Sequence, residues 1–171
     1  MKKLVLIAFA LVLFSLATAR AQGHNDHGQA AASTSTTAPT FSNESATHVY
    51  QAYISLTQAL VQSDESKSLA AAQAFAQKTE ASEAGAELKA AAKKLAATSN
   101  LNALRLELAE ASPLLKTWIA EQMTSGEIYV AHCPMANGNI GGYWLANEKQ
   151  INNPYFGDKM LRCGSVKETL Q

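Results

Sequence analysis

Leu101, Leu104, Leu108, Ala111, Leu115, Trp118 and Ile119 recur at steps of three and four, and Val49, Tyr53, Leu56 and Leu60 repeat that spacing upstream. An α-helix turns once every 3.6 residues, so each set falls on one face. An apolar face has to be covered by another element. The rhythm runs from Phe41 to Met123 and stops at Gly126, which commits this stretch to helices packed on one another.

Helix boundaries follow from local chemistry. Ser42 is a cap candidate for a first helix, and the SDES run at 63–66 separates it from a second, because such side chains bind backbone N–H groups at helix starts. The second helix, about 64–81, carries Leu69, Ala72, Phe75 and Ala76, and a third, about 82–98, carries Leu88 and Leu95 on alanine. Ser99 and Asn100 are cap candidates for the fourth. Pro113 lies inside that pattern and predicts a kink or a split there. Residues 43–123 are therefore expected to be almost wholly helical, with no strand before Gly126. Short connections favour an antiparallel four-helix bundle.

Beyond Gly126 the period changes. EIYVAH at 127–132 alternates Ile128, Val130 and His132 against Tyr129 and Ala131, which is strand spacing. Turn signals follow at Asn137-Gly138, Gly141-Gly142 and Asn153-Pro154, with extended pieces at Tyr143-Trp144-Leu145 and 165–169. The expected fold class is mainly α, a bundle beside a small loop-rich C-terminal lobe (126–171) containing short β-strands. Trp144, Tyr155 and Phe156 would form the lobe's local core. Gly138, Gly141, Gly142, Gly157 and Gly164 would supply positive φ in its turns.

The start of the chain sets the compartment. Lys2 and Lys3, the apolar run LVLIAFALVLFSLA and Ala19-Arg20-Ala21 have the form of a secretory signal peptide over 1–21. Residues 22–40 are mostly Ala, Ser, Thr, Gln and Gly with Pro39 and read as a disordered tether to one helical domain, 41–171. The expected product is periplasmic or secreted, with no membrane insertion after signal cleavage. Removing Lys2, Lys3 and Arg20 leaves 11 basic against 14 acidic residues, a balance that argues against a nucleic-acid partner. No GxSxG, HExxH or phosphate loop is present, so the chain is not expected to be an enzyme.

The chemistry that remains is soft. AHCPMANG at 131–138 holds His132, Cys133 and Met135, and KMLRCG at 159–164 holds Met160 and the second of only two cysteines, Cys163. Copper(I) and silver(I) favour thiolate and thioether donors and accept imidazole, so a site for either would recruit Cys133, Cys163, Met135 and Met160, with His132 as a fifth donor. On a strand His132 and Cys133 point to opposite faces, and both reach one ion only if Pro134 breaks the pleat. Met160 has a second reading, as packing against Trp144 or Phe156. Two cysteines in an oxidising compartment also read as a disulfide, worth about 3–4 kcal/mol for a loop of this length. The sulfurs should lie about 2 Å apart if bonded, or near 4 Å if they share an ion. A lesser copper(II) site would use His24 and His27 near the mature N-terminus.

HCPMANGNIGGYWLANEKQINNPYFGDKMLRCGSVKETL resembles the C-terminal signature of the 3347 family of domains of unknown function, through CPM at 133–135, YWL near 144, NPYFG at 153–157, Met160 and Cys163-Gly164. Members are bacterial secreted helical domains, found alone or joined to the periplasmic adaptor of heavy-metal efflux pumps. The resemblance implies an association with copper or related soft metals and an efflux-pump component as partner. The expected function is buffering such a metal or handing it on. The alternative is a disulfide-stapled interaction module of the cell envelope without metal.

Overall fold

The computed structural model describes residues 37–171. The leader, most of the tether, and His24 and His27 lie outside the described residues. Four long helices come first: α1 (Glu44–Val61), α2 (Glu65–Glu80), α3 (Ala86–Ala96) and α4 (Leu101–Gln122). Each packs against the next in sequence, and α1 and α2 also touch α4. The described residues are mainly helical, with two small antiparallel sheets. Among the described residues no helix is long and apolar enough to cross a membrane.

The starts of α1, α2 and α4 are each capped by a single side chain, whereas α3 begins behind Gly85 without one. Asp64 Oδ1 accepts from Lys67 N–H at 3.0 Å and Asn100 Oδ1 from Ala103 N–H at 3.0 Å. At α1 the cap is Asn43, not Ser42: its Oδ1 accepts from Ala46 N–H at 2.8 Å. Ser42 is taken by the far end of α4, donating its N–H to the Gln122 carbonyl at 2.8 Å. That carbonyl belongs to the last turn of a helix and has no partner within it.

Pro113 splits nothing. One helix runs from Leu101 to Gln122 with the proline inside it on the exposed side. Leu104, Leu108, Leu115 and Ile119 flank it, each 0% exposed. Burial of such a side chain stabilises by about 1.5–3 kcal/mol, and four of them outweigh the roughly 3 kcal/mol that an internal proline costs.

Strands do occur before Gly126. Thr40–Phe41 (β1) pairs antiparallel with Met123–Ser125 (β2), and Thr40 Oγ1 lies 2.8 Å from Thr124 Oγ1 and 2.7 Å from Ser125 Oγ. The end of the segment read as tether is thus part of the domain. A pair of two- and three-residue strands more than 80 positions apart has no periodicity to betray it.

The second sheet has the order β4-β3-β5, with β3 (Ile128–Cys133) central between β4 (Gly142–Ala146) and β5 (Ser165–Leu170), both antiparallel to it. β4 lies on α4 and α1. Trp144, Leu145 and Tyr155 join the same apolar cluster as Tyr53, Leu56, Phe75, Leu108 and Leu115. The C-terminal region therefore has no separate core; its large rings complete that of the helices.

Candidate metal centre

Cys133 ends the central strand and is 0% exposed, whereas Cys163, in the segment leading into β5, is partly exposed. Both are free thiols, and their sulfurs stand 3.0 Å apart. That separation is longer than a disulfide bond, about 2.05 Å. It is shorter than the roughly 3.8 Å between two sulfurs sharing a tetrahedral ion at about 2.3 Å. Either state lies within about 1 Å of the observed one, a displacement that side-chain rotation supplies. The hydrogen bond with Cys133, and after it burial, push the Cys163 thiol above its ordinary value. A bound cation would have to displace that proton.

Three features bring Cys163 to Cys133. A 3₁₀ turn over Gly157–Met160 reverses the chain, and Cys163 N–H donates to the Met160 carbonyl at 3.0 Å. Asn153, 0% exposed, donates from Nδ2 to the Cys163 carbonyl at 2.8 Å, while its Oδ1 accepts from Tyr155 N–H at 2.8 Å. Gly164 then turns with φ +122, a conformation that L side chains rarely adopt. A Cβ there would lie 2.8 Å from the His132 carbonyl oxygen and 3.0 Å from the Trp144 ring.

On the other side of Cys133 the strand partner is Gly142. Gly142 is extended and not in a positive-φ turn as the sequence suggested; the reason for glycine is the Tyr155 ring, which a Cβ would meet at 2.5 Å. Tyr155 stands edge-on to Trp144, with ring centroids 6.0 Å apart, and donates its hydroxyl to the Tyr143 carbonyl. Cys133 is buried in the same apolar cluster as both rings.

The methionines differ in placement. Met123 packs against the core, but neither Met135 nor Met160 joins the apolar cluster. Met135 follows Cys133 by two residues on a turn and is 44% exposed; Met160 is half-buried one turn before Cys163. His132 does not face Cys133. Its ring lies against Tyr143, centroids 4.3 Å apart, and Nε2 is beside Gly141. Among the described residues no group of three or more His, Cys, Asp or Glu is placed to hold a metal. A cation at the cysteine pair would therefore depend on sulfur.

Arg105 and Asn153 were not legible as positioning residues. Arg105, on α4, donates from Nε to the Pro154 carbonyl at 3.0 Å and from Nη2 to the Leu60 carbonyl at 3.3 Å and Ser63 Oγ at 3.1 Å. It ties the end of α1 to the 153–157 turn, and burial, opposed by Asp158, lowers its pKa. Nothing in a helical arginine announces such a role. For Asn153 the Asn-Pro step signalled a turn and no more.

Residues 49–125 match the family model described as Protein of unknown function (DUF3347). The match spans most of α1 through α4 and ends in β2, before the Cys/Met segment on which the resemblance was drawn. Nothing matches the chain among curated proteins or among solved structures. Over residues 49–125 the chain is thus similar to that family of unknown function, and its two cysteines lie beyond the matched stretch.

Proposed function

We propose that this is a periplasmic or secreted binding protein for copper(I) or silver(I), with Cys133 and Cys163 as thiolate anchors and Met135 and Met160 as thioether donors. One observation carries the reading: two thiols 3.0 Å apart are flanked by two methionines that the apolar core does not use. A methionine serving as gap filler belongs in a core; these two lie outside it, and soft cations favour thioether sulfur. His132 contributes only if its ring leaves Tyr143. The helices, read as an antiparallel four-helix bundle, supply the rigid wall on which the sulfur-bearing turns are hung. The role is to buffer the ion or pass it to a heavy-metal efflux component, without catalysis.

A second reading, a disulfide-stapled interaction module of the envelope, draws on the same sulfur separation. Competition against a copper(I) chelator under reducing conditions tests the first. The parent protein should retain copper(I), and Cys133→Ser with Cys163→Ser should lose it. If the parent retains none, and its intact mass without reductant is lighter by two hydrogens, the staple reading stands instead.

A further inference from the structure

The two cysteines are not equivalent. Cys133 is 0% exposed and is paired across the sheet with Gly142, whose open face the Tyr155 ring fills, whereas Cys163, just past the 3₁₀ turn, is partly exposed. The turn is held from behind, by Asn153 on the Cys163 carbonyl and by the Met160 carbonyl on the Cys163 N–H, so the chain stays folded around an accessible sulfur. An external reagent can approach Cys163 in the native state. It can reach Cys133 only after local opening.

We propose that Cys133 and Cys163 form a thiol pair that exchanges with external disulfides in a fixed order, Cys163 as the entry sulfur and Cys133 as the buried resolving sulfur. The Cys163 thiolate attacks one sulfur of an external disulfide, forming a mixed disulfide and expelling the first external thiolate. Cys133 lies 3.0 Å away and attacks the Cys163 sulfur, forming the Cys133–Cys163 bond and expelling the second. The pair is oxidised by two electrons, the external disulfide is reduced to two thiols, and the two cysteine protons end on the leaving thiolates. The reverse sequence, with an external dithiol as reductant, enters at the same sulfur. This goes beyond metal binding and does not require it, although only the reduced pair offers thiolates to a soft ion.

The test uses the mature chain with a metal chelator present and dithiobis(nitrobenzoate), an aryl disulfide whose released thiolate is coloured. The wild-type protein should release two aryl thiolates per chain, retain no aryl group and become lighter by two hydrogens. Cys133→Ser should release one and keep one aryl group on Cys163. Cys163→Ser should react about a hundredfold more slowly, as a buried thiol does, until denaturant is added. Should Cys133→Ser fail to fold, acid quenching of the wild-type reaction and peptide mapping replace it: the transient aryl group must sit on Cys163. Equal rates for the two single variants, two aryl groups retained on the wild type, an intermediate on Cys133, or no reaction in the native state would each overturn the proposal. Because no copper is present, failure here leaves the metal reading to its own competition assay.

Discussion

Tyr53 and Ser112, both 0% exposed, meet in the core with their hydroxyl oxygens 2.7 Å apart. Ser112 gives its proton to the Leu108 carbonyl at 2.7 Å, and the Tyr53 oxygen accepts from Leu145 N–H at 3.2 Å. Tyr53 is therefore the donor to Ser112. The chain of bonds runs from β4 through α1 into α4, and satisfies each buried group in turn. It joins the strand beside Cys133 to two of the helices.

Tyr53→Phe keeps the ring against Phe75 but leaves the Leu145 N–H without an acceptor in the core. It should destabilise the protein by about 1–3 kcal/mol, the cost of an unsatisfied buried donor. Urea unfolding measures it; a change within error would mean the amide finds another partner.

Alkali should unfold the protein through its tyrosines. Burial pushes the Tyr53 hydroxyl up to about 12 and raises Tyr50 and Tyr155 as well, Tyr50 secondarily through Tyr53. The unfolded value is near 10. A folded pKa above the unfolded one means the native state holds more protons in between, so this contribution is intact below about pH 10 and is lost as pH rises through the folded values. Tyrosinate absorbance from these residues should appear together with loss of helical circular dichroism. Ionisation of all the tyrosines with the helices intact would contradict it.

Gly164→Ala and Gly138→Ala separate steric conflict from backbone strain. Both positions have positive φ, but a Cβ at Gly138 meets nothing within 4 Å, whereas at Gly164 it meets the His132 carbonyl at 2.8 Å. Strain of this kind costs about 1–3 kcal/mol. Gly138→Ala should fall at the low end of that range and Gly164→Ala above it. The second should also slow formation of the Cys133–Cys163 bond, read by mass after mild oxidation. Equal melting temperatures for the two variants would show that the Gly164 contact relaxes freely.

Met135→Leu with Met160→Leu preserves volume and apolarity, and should cost less than about 1.5 kcal/mol of stability. Copper(I) affinity should nevertheless fall by about tenfold per donor lost, each decade being about 1.4 kcal/mol. Zinc, which rarely takes thioether ligands, should respond far less. Chelator competition with thermal unfolding as control reads both; unchanged copper(I) affinity would remove the methionines from the site.

Asn153→Ala removes the donor to the Cys163 carbonyl and the acceptor for Tyr155 N–H, both in a buried setting. Losing both partners should cost at least about 2 kcal/mol. Because the turn that carries Cys163 is released, the native-state reactivity of Cys133 toward thiol reagents should rise. If stability falls and Cys133 stays protected, Asn153 supports the fold without positioning the pair.

What the sequence determined by itself was short-ranged. The three-and-four spacing located α2 at 64–81, against Glu65–Glu80 in the structure, and alternation located β3 at 127–132, against Ile128–Cys133. Both depend on neighbours within a few residues, where backbone geometry and side-chain placement are coupled directly. The cysteine and methionine donors were likewise visible as residue types. Tertiary structure decided what depends on partners far along the chain. Asn43 caps α1, while Ser42 is held by Gln122, 80 residues away, through both its N–H and its hydroxyl. Pro113 stayed within a helix because the apolar faces on either side of it were buried by other elements. Trp144 and Tyr155 completed the helical core and did not make one of their own. Cys133 and Cys163, 30 positions apart, came within 3.0 Å, one sealed and one accessible, because Asn153, Gly164 and the Tyr155 ring fixed the path between them. No local pattern encodes such a meeting, since its free energy arises only when surfaces from several elements are buried at once.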